Sequence, residues 1–493
     1  MRGERPIQFL NWLAMVCTVL AGLVLSAQFV LSGVRSVGLA WPITHPEGAT
    51  IAAIVRVRDG EPLYQNFRAF PYLITPYPPI QPLVVGLSAR VLGLSVLETA
   101  GLARWLTLLA SLATTALIWL VARRCGAGRL AALAGASLLL PLPFLDEWGF
   151  AARPDVPAVA LSLAAMLALL WRPDRPWLAA IVAVLAVFAK QTAVALPAAA
   201  TLWLLTTGRW RAAVVFAVTW SVLVGATVGF LELLTDGTYV LNTVLAHVNT
   251  PKNGFDLAFR DFQPLYQDGW LPVGLAVVAA ILPGARRRGG LLLLYFAASS
   301  ALALYSLRNT GGDVNYLIEP ATAACIPAAL GVDWLWRGVR DSWPSYPRIQ
   351  AIASIALAAV AVVWAAGLWE FWQLDGGVDP TSRLPLSEIA AADSVLSEEP
   401  LAVLLAGRPL VVSDTFHLSM LTTSGFFDPT ELERRIKRSE FDLIVMRSDV
   451  RAPRLWKRQL LLPEQVRLAI KDTYRPAGRV GMFWLYRPED RRP

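Results

Sequence analysis

Glu47 is the first side chain in this sequence that suggests chemistry, because it lies in a polar segment just after a long apolar run. Arg56 and Arg58 follow it in the same segment. A carboxylate can act as a general base towards a hydroxyl group, and arginines bind anionic oxygens. The combination predicts a base beside an anion site, with His45 close enough in sequence to orient the carboxylate.

Glu47 also has a purely structural interpretation. Thr44 and Glu47 have the spacing of a capping box, in which Thr44 caps a helix start and Glu47 accepts a hydrogen bond from its amide. If that were its only role, a Glu47→Gln substitution would be almost silent, because glutamine also serves in capping boxes. The two roles are compatible, since a carboxylate in a first helical turn remains accessible from one side.

A second group of ionisable residues is expected at the same outer level of the membrane. Asp155 lies in Arg153-Pro154-Asp155, where it either caps the next helix or contributes to a site. Lys190 interrupts an apolar segment, and a lysine in mid-membrane would cost about 2.5–3.5 kcal/mol on insertion scales. We therefore expect Lys190 at a turn between two short helices, facing a cavity.

The composition indicates a polytopic membrane protein. Of the 493 residues, 56% are hydrophobic and 16% are charged, and the mean hydropathy is +0.51, which is too apolar for a soluble globular protein. The net charge of +8 comes from arginine clusters at the ends of apolar runs, as expected beside a membrane surface. We therefore expect membrane lipids and no nucleic acid as partners.

Charge parity predicts the topology. With a cytoplasmic N-terminus in the plasma (inner) membrane, the arginine clusters fall inside only if about eleven helices cross. The predicted spans are 9–34, 98–122, 128–146, 155–171, two short helices within 176–206, 211–235, 269–284, 290–307, 313–337 and 349–373. The loop 35–97 then lies entirely outside, with an interfacial helix at about 80–94, and so does the loop 236–268.

The composition changes near residue 375, which predicts two domains, 1–375 in the membrane and 376–493 as a soluble extracytoplasmic α/β domain. Short strands are predicted at 401–412, 441–446 and 481–486, and a helix at 429–438. Motifs for nucleotide-driven transport, metallohydrolases and serine hydrolases are missing from the sequence. Gly126-x-Gly128 imitates a dinucleotide fingerprint, but no strand precedes it.

In their order, these features resemble the GT-C superfamily of glycosyltransferases, near family 39, which includes protein O-mannosyltransferases and lipid A aminoarabinose transferases. The resemblance rests on Glu47 in the first outer loop, Tyr77-Pro78-Pro79 before an interfacial helix, the Gly60-to-Tyr64 segment, Arg153-Pro154-Asp155 and Lys190-Gln191-Thr192. The chain departs from the family in having Glu47 followed by Gly48 where an aspartate, often followed by a second acid, is usual.

The resemblance implies a membrane glycosyltransferase that moves a sugar from a polyprenyl-phosphate donor to an acceptor hydroxyl, with inversion. Its implied catalytic residues are Glu47 and Asp155. The implied ligands of the donor phosphate are Arg56, Arg58, Lys190 and Arg308. The side chains implied to line the substrate site are His45, Tyr64, Tyr77, Gln191, Asn315 and Tyr316. No cofactor is implied, and a divalent metal is not indicated because no Asp-x-Asp pair lies in an outer membrane loop.

Two other functions remain open from the sequence. A transporter or flippase for a lipid-linked or small substrate would also need a polar site among membrane helices, although internal repeats typical of many transporters are missing from the sequence. A non-catalytic assembly protein would use its outer domain to bind a partner. The sugar and the acceptor, whether glycan, lipid or protein, are not indicated by any residue.

Overall fold

Apolar helices form most of the N-terminal part of the chain. The computed structural model describes residues 4–281, 283–342, 347–374, 383–452 and 461–489. In chain order, the helices of this part are α1 (Glu4–Ser36), α2 (Glu47–Asp59), α3 (Ile80–Leu92), α4 (Val96–Arg124), α5 (Arg129–Ser137), α6 (Asp155–Trp171), α7 (Pro176–Ala189), α8 (Ala195–Thr206), α9 (Trp210–Leu234), α10 (Thr238–Val240), α11 (Ala246–Val248), α12 (Phe255–Asp261), α13 (Pro264–Gln267), α14 (Trp270–Ile281), α15 (Pro283–Ser306), α16 (Ile318–Ser342) and α17 (Pro347–Leu374). A π-helical turn, Leu241–Leu245, joins α10 to α11, and 3-10 turns lie at Pro143–Leu145 and Val314–Leu317.

Four stretches of the described helices are long and apolar enough to cross a membrane, judged by length and composition. They are Val19–Ser36, Val96–Arg124, Trp210–Leu234 and Gly289–Ser306. Six shorter apolar stretches, of 10–17 residues, accompany them, among them α6, α7, α8 and α14. In α9, Val222, Phe230 and Leu233 are more than half exposed, as expected for a helix whose surface faces lipid.

Two segments, 176–206 and 128–146, test specific predictions about where membrane helices begin and end. The segment 176–206 forms two helices, α7 and α8, that end and begin on either side of Lys190, as predicted. The prediction of one helix over 128–146 is wrong. Helix α5 ends at Ser137 after nine residues, and the following prolines, Pro141 and Pro143, cannot continue an α-helical hydrogen-bond ladder.

The segment between α1 and α4 contains α2 and α3, which pack against each other. Helix α3 has 13 residues, about 20 Å at 1.5 Å per residue, which is shorter than a membrane span. Its outer face exposes Val91, Leu92 and three other apolar side chains. The predicted helix at 80–94 is therefore present, and its position at the membrane interface stays a prediction.

The C-terminal part is a small α/β unit. Its strands are β1 (Val395–Ser397), β2 (Leu443–Met446), β3 (Tyr474–Val480) and β4 (Phe483–Pro488), and its helices are α18 (Leu386–Ala390), α19 (Pro400–Leu405), α20 (Thr415–Thr423), α21 (Thr430–Lys437) and α22 (Glu464–Thr473). The sheet order is β1-β2-β4-β3, with β1 parallel to β2 and the other pairs antiparallel. The predicted boundary at 375/376 lies outside the described residues.

The predicted strand at 401–412 is wrong, because residues 400–405 form helix α19. Glu399 explains this start: its side chain accepts a hydrogen bond from the Leu401 amide, and Pro400 occupies the first turn, where a missing amide proton costs nothing. The other predicted elements of this unit occur as α21, β2 and β4.

The segment between α1 and α4 contributes directly to the core of the C-terminal unit. Tyr72 donates its amide to the Val411 carbonyl at 2.8 Å, and its ring packs edge-on against Phe427 with centroids 5.3 Å apart. Phe67 and Ile74 are buried in the same apolar cluster. The two parts of the chain therefore share a core and are not joined by residues 375–382 alone.

The packing of α3 on α2 depends on Gly86. A methyl group at this position would come within 2.7 Å of the Ile54 carbonyl oxygen and of Val57 Cβ. We predict that Gly86→Ala destabilises the protein by about 1–3 kcal/mol, because the two helices must move apart. Thermal unfolding in detergent measures this. Ser88→Ala, at an exposed position of the same helix, is the matched control, and an equal melting temperature for both variants would contradict the prediction.

Candidate functional site

Asp155 is the centre of a buried cluster of ions. It is the first residue of α6, and its Oδ1 accepts hydrogen bonds from Lys190 Nζ and, at 2.6 Å, from Asn315 Nδ2. Its Oδ2 lies 3.5 Å from Arg153 Nε. All four side chains are less than 10% exposed. Two cations and one anion give the cluster a net charge of about +1, which suits it to an anionic ligand.

Arg153 lies between this cluster and a set of aromatic rings. Its guanidinium carbon is 4.7 Å from the centroid of the Tyr77 ring and 5.1 Å from that of Trp148, and its Nη2 donates to Tyr77 Oη. Lys190 makes the corresponding contact with Tyr316, at 4.7 Å from the ring centroid. Cation–π contacts of this type hold a charge in place while leaving hydrogen-bonding positions open.

The cluster separates two cavities. The larger, of about 380 Å³, lies between the membrane part and the C-terminal unit and is lined by Arg153, Tyr77, Asn315 and Tyr316 together with residues of the C-terminal unit. The smaller, of about 20 Å³, lies between α6, α15 and α16 and reaches Asp155 and Lys190. Only the larger has the size of a site for a sugar or comparable ligand.

Two predicted site residues, Tyr64 and Gln191, support this wall without lining the cavity, and His247, which does line it, contacts the same backbone. Tyr64 Oη donates to the Tyr77 carbonyl at 2.9 Å, and Gln191 Nε2 donates to the Pro76 carbonyl at 3.0 Å. His247 Nε2 lies 2.8 Å from the same Pro76 oxygen. These contacts fix the backbone just before Tyr77, which positions the ring that faces Arg153.

Glu47 lies behind the cavity wall and not on it. It is fully buried and bound on both oxygens: Oε1 accepts from Arg104 Nε at 3.0 Å and from the Ala152 amide at 2.6 Å. Oε2 accepts from Arg104 Nη2 at 2.9 Å and from the Ile43 amide at 2.6 Å. In this structure Glu47 therefore joins the segment between α1 and α2, helix α4 and the segment that leads into Arg153.

The capping-box interpretation of Glu47 is wrong. Helix α2 begins after Pro46, without a side-chain cap, and the Thr44 hydroxyl has no hydrogen-bond partner within the part of the chain that the structure describes. Glu47 reaches the Ile43 amide, one residue further back than a capping box requires. The charge of Arg104 explains the difference, because it draws the carboxylate into the protein interior.

The other predicted phosphate ligands lie away from the cluster around Asp155. Arg56 and Arg58 lie in the last turn of α2, about 14–17 Å along the helix from Glu47 at 1.5 Å per residue. Arg56 donates to the Pro62 carbonyl, and Arg58 to Asp59. Arg308 packs on the Phe255 ring at 4.2 Å and donates to the Asn253 carbonyl. None of the three lines either cavity.

The C-terminal unit supplies cavity residues that the sequence analysis did not select. Asp414, His417 and Arg447 line the larger cavity, and Arg447 pairs with the buried Glu399. The pKa of the Asp414 carboxyl is lowered: burial acts to raise it, but His417 and, more weakly, His45 outweigh burial. Asp414 is therefore a charged group in the cavity at neutral pH.

Two histidines of the cavity, His45 and His247, are uncharged at neutral pH. Burial, together with Arg447, lowers the pKa of His45 to about 4. Burial, together with His417, lowers the pKa of His247 to about 4 as well. His45 lines the cavity, and its role as a substrate-site residue stays a prediction.

One signal in the sequence pointed to the missed partner of Glu47. Arg104 lies inside the predicted span 98–122, and an arginine within a membrane helix almost always has a partner. Glu47 is the carboxylate that pairs with Arg104 in the structure. The residues of α20 gave no comparable signal, since Asp414 and His417 have the spacing of an ordinary helix start.

Comparison with known proteins supports the predicted resemblance. The family model for dolichyl-phosphate-mannose-protein mannosyltransferase matches residues 77–235, which include Tyr77, Asp155 and Lys190. Sequence comparison with curated proteins gave no match.

Two solved structures share the fold over most of this chain. ArnT from Cupriavidus metallidurans bound to undecaprenyl phosphate matches with a TM-score of 0.59 and 15% identity, covering 93% of this chain and 97% of ArnT. The archaeal oligosaccharyltransferase AglB from Archaeoglobus fulgidus, in complex with an inhibitory peptide and a dolichol phosphate, matches with a TM-score of 0.55 and 11% identity, covering 96% and 75%. The resemblance is thus confirmed: this is an integral membrane protein with the fold of the GT-C superfamily of glycosyltransferases, resembling family 39 and ArnT.

Proposed function

We propose that this protein transfers a sugar from a polyprenyl-phosphate donor to an acceptor hydroxyl in the larger cavity, at the outer face of the membrane. The observation that carries the proposal is the buried cluster of Arg153, Lys190 and Asp155 at the cavity wall, with its excess positive charge. The bound undecaprenyl phosphate of ArnT and dolichol phosphate of AglB support a lipid phosphate as ligand.

In this proposal Lys190 and Arg153 bind the phosphate of the donor. Each already touches an aromatic ring and the carboxylate of Asp155, so its position is fixed before the donor arrives. Fixed cations stabilise the charge that develops on a leaving phosphate without reorganisation in the transition state. Asp155 is then a positioning residue, because its oxygens are directed at Lys190, Asn315 and Arg153.

The reaction is a single displacement. The acceptor oxygen attacks the anomeric carbon, the bond from that carbon to the phosphate oxygen breaks, and its electron pair stays on the phosphate. A phosphate leaves without being protonated, so the site needs cations and one base and no acid. One displacement inverts the anomeric configuration, and retention in the product would contradict this mechanism.

Glu47 has a different role in this proposal from the base suggested by sequence. Each of its oxygens already accepts two hydrogen bonds, and the side chain is fully buried. Its contribution is indirect: the Ala152 amide bound to Oε1 precedes Arg153 in the chain. A base role for Glu47 would require the ion pair with Arg104 to open.

A transporter of a lipid-linked substrate is the alternative. It too would bind a phosphate at Lys190 and Arg153, so binding alone does not distinguish the two functions. Purified protein in proteoliposomes, supplied with a panel of radiolabelled undecaprenyl-phosphate hexoses and pentoses, separates them. Label that leaves the lipid for a new covalent product supports transfer, whereas label that changes leaflet and stays on the lipid supports transport.

Lys190→Gln should lower the rate of transfer by about 10²–10³-fold, the size of the effect of removing one group that stabilises a developing charge. Lys190→Arg, which keeps the charge, should retain much of the activity. Arg58→Gln tests the competing site at the end of α2 and should leave the rate close to that of the wild type. The rates are measured by release of label from the donor, and a larger loss in Arg58→Gln than in Lys190→Gln would contradict the proposed site.

Glu47→Gln should lower the stability of the protein by about 3–5 kcal/mol, the cost of leaving one partner of a buried ion pair uncompensated. All four groups around Glu47 are hydrogen-bond donors, so the glutamine amide would face at least one of them donor to donor. Thermal unfolding is compared with that of Glu61→Gln, an exposed carboxylate 3.9 Å from Arg56. An unchanged melting temperature combined with lost transfer would restore Glu47 as the base.

A further inference from the structure

All three histidines of this chain line the larger cavity, although they are far apart in sequence. His45 comes from the first outer loop, His247 from α11 and His417 from α20 of the C-terminal unit. The rings of His247 and His417 meet edge to face, with centroids 5.1 Å apart. The ring of His247 also lies 6.3 Å from that of Tyr77, and the Tyr77 ring in turn contacts Arg153.

Asp414 has one oxygen in a structural role and one directed at the His417 ring. It is the N-cap of α20, and its Oδ1 accepts a hydrogen bond from the His417 amide at 2.9 Å. Its Oδ2 lies 3.5 Å from Nδ1 of the His417 ring. An N-cap needs only the first of these contacts, so helix capping does not account for the second.

The contact with Asp414 determines which ring nitrogen carries the proton when His417 is neutral. An ionised carboxylate can only accept hydrogen bonds, so Nδ1 carries the proton and Nε2 keeps its lone pair. Nε2 is buried and has no hydrogen-bond partner among the described residues. The Nε2–H of His247 donates to the Pro76 carbonyl at 2.8 Å, so the lone pair of that ring lies on Nδ1. The lowered pKa of His247, about 4, makes it a weak base.

We propose that His417, oriented by Asp414, is the general base that receives the proton of the acceptor hydroxyl. This inference rests on the proposed glycosyl transfer. As the acceptor oxygen bonds to the anomeric carbon, its proton passes to His417 Nε2, and the electron pair of the broken bond leaves on the phosphate held by Lys190 and Arg153. The Asp414 carboxylate stabilises the imidazolium, and the proton is later lost to solvent.

The proposal assigns catalysis to both parts of the chain. The membrane part holds the donor phosphate, and the C-terminal unit supplies the base. Glu47, the carboxylate expected in that role, has both of its oxygens occupied by Arg104 and two amides. A base on α20 also gives a reason for the contact of Tyr72 with Val411, since that contact fixes the C-terminal unit over the cavity.

The reactivity of the His417 ring can be tested without any substrate. Diethyl pyrocarbonate modifies histidines that have an unbound ring nitrogen, and mass spectrometry of the folded protein identifies the modified residue. We expect His417 to react through Nε2. An unreactive His417 would overturn the assignment whatever the donor.

The catalytic role is tested with the undecaprenyl-phosphate sugar that the wild type accepts. His417→Gln should lower kcat by about 10²–10⁴-fold, the usual contribution of a general base, with donor KM little changed, and imidazole should partly restore transfer by His417→Ala. Asp414→Asn keeps a good N-cap, so it should fold normally, lower kcat, and slow the modification of His417. Thr423→Ala, at an exposed position of the same helix, is the control.

Failure of the inference and failure of the proposed function give different results. If His417→Gln transfers sugar at the wild-type rate, or imidazole restores nothing while the variant is folded, His417 is not the base and the transferase proposal stands. If the wild type itself transfers no sugar from any donor in the panel, both proposals are wrong.

Discussion

The ion pair between Glu47 and Arg104 is the interaction on which the rest of the site depends. Both side chains are fully buried, so each must have a charged partner in a region where water cannot compensate it. Arg104 also donates to the carbonyl groups of Leu39 and Trp41, and Glu47 binds the amide of Ala152. One pair thus fixes the loop after α1, the start of α2 and the backbone that presents Arg153 to the cavity.

The position of Arg153 and the closure of the cavity follow from the same loop. Residues beyond α2 cross to the C-terminal unit, where Tyr72 pairs with Val411 and packs into its core. The segment between α1 and α4 therefore connects the cluster of Arg153, Asp155 and Lys190 in the membrane part with Asp414 and His417 of the C-terminal unit. In the proposed mechanism, a site assembled in this way places cations beside the leaving phosphate and a base beside the acceptor hydroxyl.

The sequence was sufficient to predict the class of fold, because hydropathy and arginine clusters report directly on membrane helices. It also placed Asp155 and Lys190 in one site, since ionisable residues beside apolar membrane helices usually face a cavity or pair with one another. It could not predict which cation pairs with Glu47. Arg56 and Arg58 were expected beside Glu47 as an anion site because they are close to it in the chain, but both lie at the far end of α2, and Arg104 approaches Glu47 from α4. His417 was missed for the same reason, since no local pattern reports a contact between the C-terminal unit and the membrane part.

The most direct test of the account is an experimental structure of the protein with bound undecaprenyl phosphate. The account predicts that the phosphate lies within hydrogen-bond distance of Lys190 and Arg153, with the larger cavity open beside it for a sugar. A phosphate bound instead at Arg56 and Arg58, or one that displaces Arg104 from Glu47, would contradict it.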